Sequence, residues 1–315
     1  MEIGGFIEYE HYDRPMLHER AIALNSARNC LAYLIEAKNI KKIALPYYLC
    51  NSVGEICKKY GISVRFYNIS IDFHLQDYTY NEGEWLYLVN YYGQIDNDYI
   101  KLMKQKYKQL IVDNVQAYFQ QPVEGVDTIY TCRKFFGVPD GAFLYSDCIL
   151  HRMLERDKSA KRMRHLLGRY EEDANSFYAD YVENEEKIEQ LEIKRMSLLT
   201  EDLLRAIDYK NVKNRRKSNF SFLDKKLKMY NKLSLKMNDG LFMYPLYIDN
   251  GQDIREKLRE IKIYIPTLWP DVFNICKPND LEYKMALNIL PLPIDQRYDE
   301  RDMEWMSQEI LKYIN

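Results

Sequence analysis

The sequence predicts an α/β fold: a large domain with a mostly parallel sheet covered by helices, followed by a smaller C-terminal α/β domain. Three observations predict it. Strand-type and helix-type segments alternate from residue 25 to residue 147 at the spacing of βαβ units. After Asp147 the chain turns charged and helix-like to about Leu227, and from Leu241 a second, shorter αβ alternation runs to the end. A length of 315 residues with 47% hydrophobic content suffices for one large core, or for a large and a small one. The domains are placed at 1–210 and 211–315, with the boundary in the long helical stretch and no flexible linker.

Each element has its own justification. Residues 1–20 have no period and are read as an irregular arm, and its His11 and His18 lack partners at ligand spacing. Asn25 and Ser26 are cap-type residues ahead of Ala27, Cys30, Leu31, Leu34 and Ile35, so a helix starts near Ser26. Its first turn presents unpaired N–H groups and a partial positive charge: an anion site, or more commonly an ordinary cap. The run 41–49 is strand-like, 51–60 has helical spacing and ends at Gly61, and 63–69 and 85–90 are strands. A turn at Tyr92-Gly93, a helix at 97–107 and a strand at 109–112 lead into Asp113. Strands at 128–131 and 142–145 bracket a basic, aromatic turn and a Pro139-Asp140-Gly141 break. Beyond the charged stretch, strands are expected at 241–248, 262–266 and 287–294, and helices at 253–261 and 299–313.

Composition excludes several function classes. The 45 basic and 47 acidic side chains leave a formal charge of −2, so no overall field favours nucleic acid or an anionic membrane. The basic run Lys210–Ser218 is a candidate nucleic-acid patch, but the acidic run Glu171–Glu192 nearby favours a solvated helix face. Six cysteines show neither a CxxC pair nor zinc spacing, which fits a reducing cytoplasm. No leader pattern and no apolar run of membrane-spanning length is present, and a soluble intracellular protein is expected. The 28 tyrosines are read as packing residues.

Lys134 lies in a tight turn between two strands. An ammonium is rarely buried unless paired or used, and burial drives it toward the neutral, nucleophilic amine; the alternative is a surface lysine after a strand. Asp113 and Asn90 stand at the carboxyl ends of strands, where ligands collect in open sheets. Four features therefore converge: a helix N-terminus, Asp113, Gln116 three residues later, and Lys134 in the next loop. Pyridoxal phosphate requires such a set, with helix N–H groups for its phosphate, a carboxylate for its pyridine nitrogen and a lysine for its aldehyde. Arg28 and Asn29, in the first turn of the helix, are the candidate phosphate contacts.

From about Asn25 onward the chain resembles the DegT/DnrJ/StrS family of sugar aminotransferases, of the aspartate aminotransferase fold (fold type I). VDNVQAYF (Val112 to Phe119) is similar to the family's E-D-A-A-Q-A segment, which implies Asp113 at the pyridine nitrogen and Gln116 near the phenolic oxygen. LVNYYGQ (Leu88 to Gln94) resembles V-H-L-Y-G-Q. IALPYYLCNSV (Ile43 to Val53) resembles the strand and helix whose side chain faces the cofactor ring; Tyr48 is the choice for that contact, while strict alignment from Pro46 gives Cys50. IKIYIPTLWP (Ile261 to Pro270) and ILPLPID (Ile289 to Asp295) resemble the segments G-I-x-x-x-x-H-Y-P and L-S-L-P-I-H.

There are departures too. The family's S-x-H-x-x-K is shortened to Thr131-Cys132-Arg133-Lys134, which implies Thr131 at the phosphate and Lys134 on the aldehyde. N-x-R-M becomes Ile193-Lys194-Arg195-Met196, and the histidine of H-Y-P is Leu268. The resemblance implies a homodimeric aminotransferase carrying an amino group from an amino acid, glutamate in most relatives, to a nucleotide-linked keto sugar for polysaccharide synthesis. An amino-acid aminotransferase, a sugar dehydratase and a non-catalytic relative remain alternatives. No metal, nucleic acid or membrane is expected.

Overall fold

Ser26 starts the first helix, its Oγ accepting the Asn29 N–H at 3.2 Å, and Asn39 closes it in the left-handed region at φ 49°. This helix, α1 (Ala27–Lys38), follows the short strand β1 (Ile22–Leu24). The computed structural model describes residues 3–76 and 78–314. The alternation continues as β2 (Lys42–Pro46), α2 (Asn51–Lys59), β3 (Ser63–Ile69), β4 (Leu75–Gln76) and β5 (Trp85–Val89). Then come α3 (Asn97–Lys106), β6 (Leu110–Asp113), β7 (Asp127–Thr131) and β8 (Ala142–Tyr145). Together the strands form one eight-stranded sheet, ordered β1-β8-β7-β6-β5-β2-β3-β4.

The strands β3, β2, β5, β6 and β7 run parallel, and the sheet's outer members β1, β8 and β4 pair antiparallel. Leu86–Val89 and Leu110–Val112 are continuous apolar runs because both faces of these central strands are covered. Register puts Val89 opposite Asp113 and Asp113 opposite Ile129, so β5, β6 and β7 deliver their carboxyl ends to one edge.

The stretch 151–227, read from sequence as helical with a long helix around Met196 to Lys217, holds four α-helices, α4 (Arg164–Glu171), α5 (Tyr178–Gln190), α6 (Leu198–Arg205) and α7 (Tyr209–Leu227), and the expected long helix is broken between α6 and α7. Local polar caps cut it. Asp173 accepts the N–H groups of Asn175 and Ser176, Ser197 caps Thr200, and Asp208 caps Asn211. The remainder holds β9 (Met243–Tyr247), α8 (Gly251–Glu260), α9 (Val272–Ile275), α10 (Leu281–Asn288), β10 (Ile289–Pro293) and α11 (Glu300–Ile314).

The expected strand at 262–266 does not form. β9 and β10 pair only with each other, Lys262 has φ 64°, and Pro266 lacks an N–H to donate. The proposed 210/211 boundary falls in the first turn of α7, whose Val212 packs in the core under the large sheet. Further along the same helix, Phe220, Leu223 and Leu227 pack in a second core with Leu246, Leu290, Met303 and Ile310. Among the described residues no helix is long and apolar enough to cross a membrane, and no metal-binding cluster occurs.

Candidate active site

Asp113 ends β6 with its carboxylate almost wholly enclosed. One oxygen accepts the Tyr87 hydroxyl at 2.8 Å and the other the Val115 N–H at 2.9 Å. Burial lifts its pKa above the usual carboxylate range, while the Lys134 charge and these two donors pull the other way.

Lys134 lies in the turn after β7, where the Cys132 carbonyl accepts the N–H groups of Phe135 and Phe136 at 3.0 and 2.9 Å. Lys134 is an exposed residue whose amine is nevertheless crowded by surrounding protein atoms. Burial depresses its pKa; the charges of Asp113 and Cys50 oppose that shift, and those of Arg133 and Arg28 add to it. These four side chains are thus its electrostatic neighbours. The Phe242 ring, 5.8 Å from Nζ, lies to one side.

Gln116 is buried, and its Oε1 accepts the Tyr92 N–H at 2.7 Å. Its amide nitrogen has no protein partner among the described residues. Arg28 Nη2 meets Glu189 Oε1 at 2.6 Å, and Arg133 pairs with Glu185; both glutamates belong to α5. The Thr131 hydroxyl donates to the Gly141 carbonyl over a long 3.4 Å. Gly141 itself has φ +113°, and a Cβ there would lie 2.9 Å from Thr200 Cγ2, so the turn can approach α6 only with glycine.

The structure therefore groups Lys134, Asp113 and Arg28, with Gln116 and Thr131 on the same strand-end edge. Two expected residues do not join them. Asn29 spends its side-chain N–H groups on Asn25 Oδ1 and the carbonyls of Leu191 and Glu192, and its backbone N–H on Ser26, leaving no donor for an anion. Tyr48 is buried between Tyr91 and Trp269, with ring centroids 5.4 and 4.5 Å away, and has no face to offer a ligand. Cys50, exposed at the N-cap of α2, is the residue of that loop near enough to Lys134 to act on its amine.

Arg133, Tyr87, Glu185 and Glu189 escaped the sequence reading. For the two glutamates a signal existed, since they sit four apart and share a helix face. Tyr87 had none, because its partner is 26 residues away.

Chemically the set suits a ligand with a phosphate, a ring nitrogen and a carbonyl. The first-turn N–H groups of α1 and the guanidiniums of Arg28 and Arg133 suit the phosphate, Asp113 a protonated ring nitrogen, and Lys134 a carbonyl carbon.

No protein-family model matches the sequence, and no curated protein matches it. Solved structures match in fold. S. venezuelae DesV in complex with a ketimine intermediate is 14% identical over 94% of this chain and 85% of that one, with a TM-score of 0.66. A DegT DnrJ EryC1 StrS aminotransferase from Brucella abortus is 13% identical over 94% and 86%, at 0.65. E. coli GDP-4-keto-6-deoxy-D-mannose-3-dehydratase with bound hydrated PLP is 13% identical over 92% and 87%, at 0.62. The chain thus has, across nearly its whole length, the PLP-transferase fold that its strand and helix order predicts.

Proposed function

We propose that this chain is a pyridoxal phosphate-dependent aminotransferase that moves an amino group from an amino acid, glutamate, to a nucleotide-linked keto sugar in polysaccharide biosynthesis. The observation that carries the reading is the placing of Lys134 in the turn after β7, beside the strand end where Asp113 closes β6, with the Asp113 charge acting on its amine. Likeness in fold to sugar aminotransferases supports the substrate class.

When bound, the cofactor supplies a reactive aldehyde and a ring that takes up an electron pair. The protein's part follows from its own groups. Lys134 would serve as nucleophile and, once free, as the base that takes the donor's Cα proton and returns a proton to the carbon that carried the cofactor's aldehyde, on the other side of the donor nitrogen. Asp113, oriented by Tyr87 and the Val115 N–H, would keep a proton on the cofactor's ring nitrogen. The Gln116 amide nitrogen, without a protein partner among the described residues, would donate to the ring's oxygen substituent. Arg28 and the first turn of α1 hold the phosphate.

The test is to add pyridoxal phosphate, follow its absorbance, fix the adduct with borohydride and map the modified residue. Lys134 is expected to carry the label. A label on another lysine overturns the site.

A second reading, dehydration of a keto sugar, draws support from the likeness in fold to the E. coli dehydratase. Product analysis with glutamate and keto-sugar nucleotides separates the two. The chain works as a homodimer in the cytoplasm in this proposal. Six free cysteines suit a reducing compartment, and the arm residues Ile3, Phe6 and Ile7, each over nine-tenths exposed, suit coverage by a second copy. Sedimentation of the purified chain as a monomer, at concentrations where it is active, would count against the dimer.

A further inference from the structure

We propose that Arg28 and Arg133 form a phosphate clamp beside Lys134, and that Glu185 and Glu189 of α5 are its built-in counter-ions, held there until a phosphate-bearing ligand displaces them.

The clamp is built from two directions. Arg28 projects from the first turn of α1, where the helix already favours an anion. Arg133 directly precedes Lys134, and burial pushes its pKa down to about 10. The Arg28 charge acts on Arg133, both guanidiniums act on the Lys134 amine, and Asp113 opposes them there. Such a cluster needs anions. Glu185 and Glu189, one helical turn apart, supply one carboxylate to each guanidinium. A phosphate monoester near neutral pH carries up to two negative charges and suits guanidinium forks, so exchanging two carboxylates for it leaves the local charge nearly unchanged.

The docking of α5 also bears the marks of a displaceable element. Ile188 is its one buried apolar side chain, and the other buried residue, Asn184, has neither amide atom partnered among the described residues. An enclosed unpartnered amide favours a state in which water reaches it. Beyond the two clamp pairs, Asp180 meets Arg164 at 3.1 Å, and the preceding turn donates from Asn175 to the Tyr264 hydroxyl at 3.0 Å. Both contacts lie at the surface.

That the ligand's phosphate belongs to a bound cofactor rests on the function proposed above; the clamp itself requires only a phosphate group. The experiment reads hydrogen exchange of residues 178–190 in the full chain, with inorganic phosphate, pyridoxal phosphate or uridine diphosphate, together with affinity for pyridoxal phosphate. Inorganic phosphate is expected to speed exchange of α5 severalfold relative to chloride at equal ionic strength. The double variant Glu185→Gln/Glu189→Gln is expected to exchange fast without phosphate and to bind pyridoxal phosphate about tenfold tighter, and Arg133→Gln to bind it about tenfold more weakly.

Release of α5 by pyridoxal phosphate alone assigns the clamp to the cofactor, whereas release by uridine diphosphate in the loaded protein assigns it to the acceptor. If α5 ignores phosphate and the double variant binds no tighter, while Lys134 still takes the borohydride label, the clamp is wrong and the proposed function stands. If inorganic phosphate releases α5 but no lysine is labelled, the clamp stands and the proposed function falls.

Discussion

At the scale of single residues, Asp113 and Cys50 make opposite predictions. The Asp113 carboxylate is held by Tyr87 and the Val115 N–H, so Asp113→Asn keeps the shape and removes the charge. Turnover is expected to fall by about a hundredfold or more, with pyridoxal phosphate affinity changed far less, because the lost charge matters most when electrons reach the ring. Single-turnover rates and equilibrium titration measure the two separately, and full turnover in the variant refutes the role.

Cys50 is the exposed thiol of the chain, whereas Cys30, Cys57 and Cys132 are buried and Cys148 and Cys276 half-buried. Iodoacetamide should therefore modify Cys50 first, and pyridoxal phosphate should protect it, as peptide mapping would show. Equal labelling with and without pyridoxal phosphate would place Cys50 outside the site.

Patterning places Asp113 at the end of a strand, Gln116 just after it and Lys134 in the turn after the next strand, and the structure has them there, because strand ends can be located from patterning. It could not show which way side chains point in the loop 46–51. The Leu49 N–H bonds back to the Tyr47 carbonyl in a tight turn, which buries Tyr48 and leaves Cys50 outward. Asn29 was misjudged for a similar reason: its acceptors come from residues 25, 191 and 192, and only the folded chain brings the latter two near.

At the scale of elements, the site depends on a close approach that polar patterning does not reveal. The turn 91–93 after β5 holds Tyr92 at φ 55° and Gly93 at φ +75°. A Cβ on Gly93 would lie 2.3 Å from the Gly240 carbonyl oxygen, and one on Gly240 would lie 2.8 Å from Ala117 Cβ. The three segments therefore stack backbone on backbone, and the Tyr92 N–H in the middle is what Gln116 binds. Gly240→Ala should cost about 1–3 kcal/mol by overpacking and push Ala117, and with it Gln116, out of place. Urea unfolding gives the stability, and pyridoxal phosphate affinity the displacement; an unchanged midpoint and affinity would refute the approach.

Element boundaries in 151–227 stayed hidden because helix-forming composition persists through the breaks, and only the side-chain caps at Asp173, Ser197 and Asp208 interrupt it. The strand expected at 262–266 had the right alternation but no partner edge, a property of the whole sheet and not of the segment.

At the scale of the whole molecule, the joint between the N-terminal arm and the large sheet sets a pH limit on stability. His18, given no role from sequence because its partners lie 100 and 127 residues away, is fully buried there. Its Nε2 lies 2.8 Å from the Tyr118 carbonyl, which can only accept, so Nε2 carries the proton and Nδ1 accepts from the Tyr145 hydroxyl at 3.2 Å. The Tyr130 ring lies 4.2 Å away, centroid to centroid. Burial lowers the imidazole pKa from 6.5 to about 4, against a smaller opposing effect of the Tyr118 carbonyl. A lowered folded-state pKa on a base means that the unfolded chain binds the proton first. The contribution is complete above pH 6.5 and is lost as pH falls toward 4. At 1.36 kcal/mol per unit the loss approaches roughly 3 kcal/mol at the acid end. Urea unfolding between pH 7 and pH 4 should show this slope in the wild type and a shallower one in His18→Gln, whose amide can still donate to Tyr118. Equal slopes would mean that acid sensitivity originates elsewhere and that the arm is not anchored through a neutral histidine.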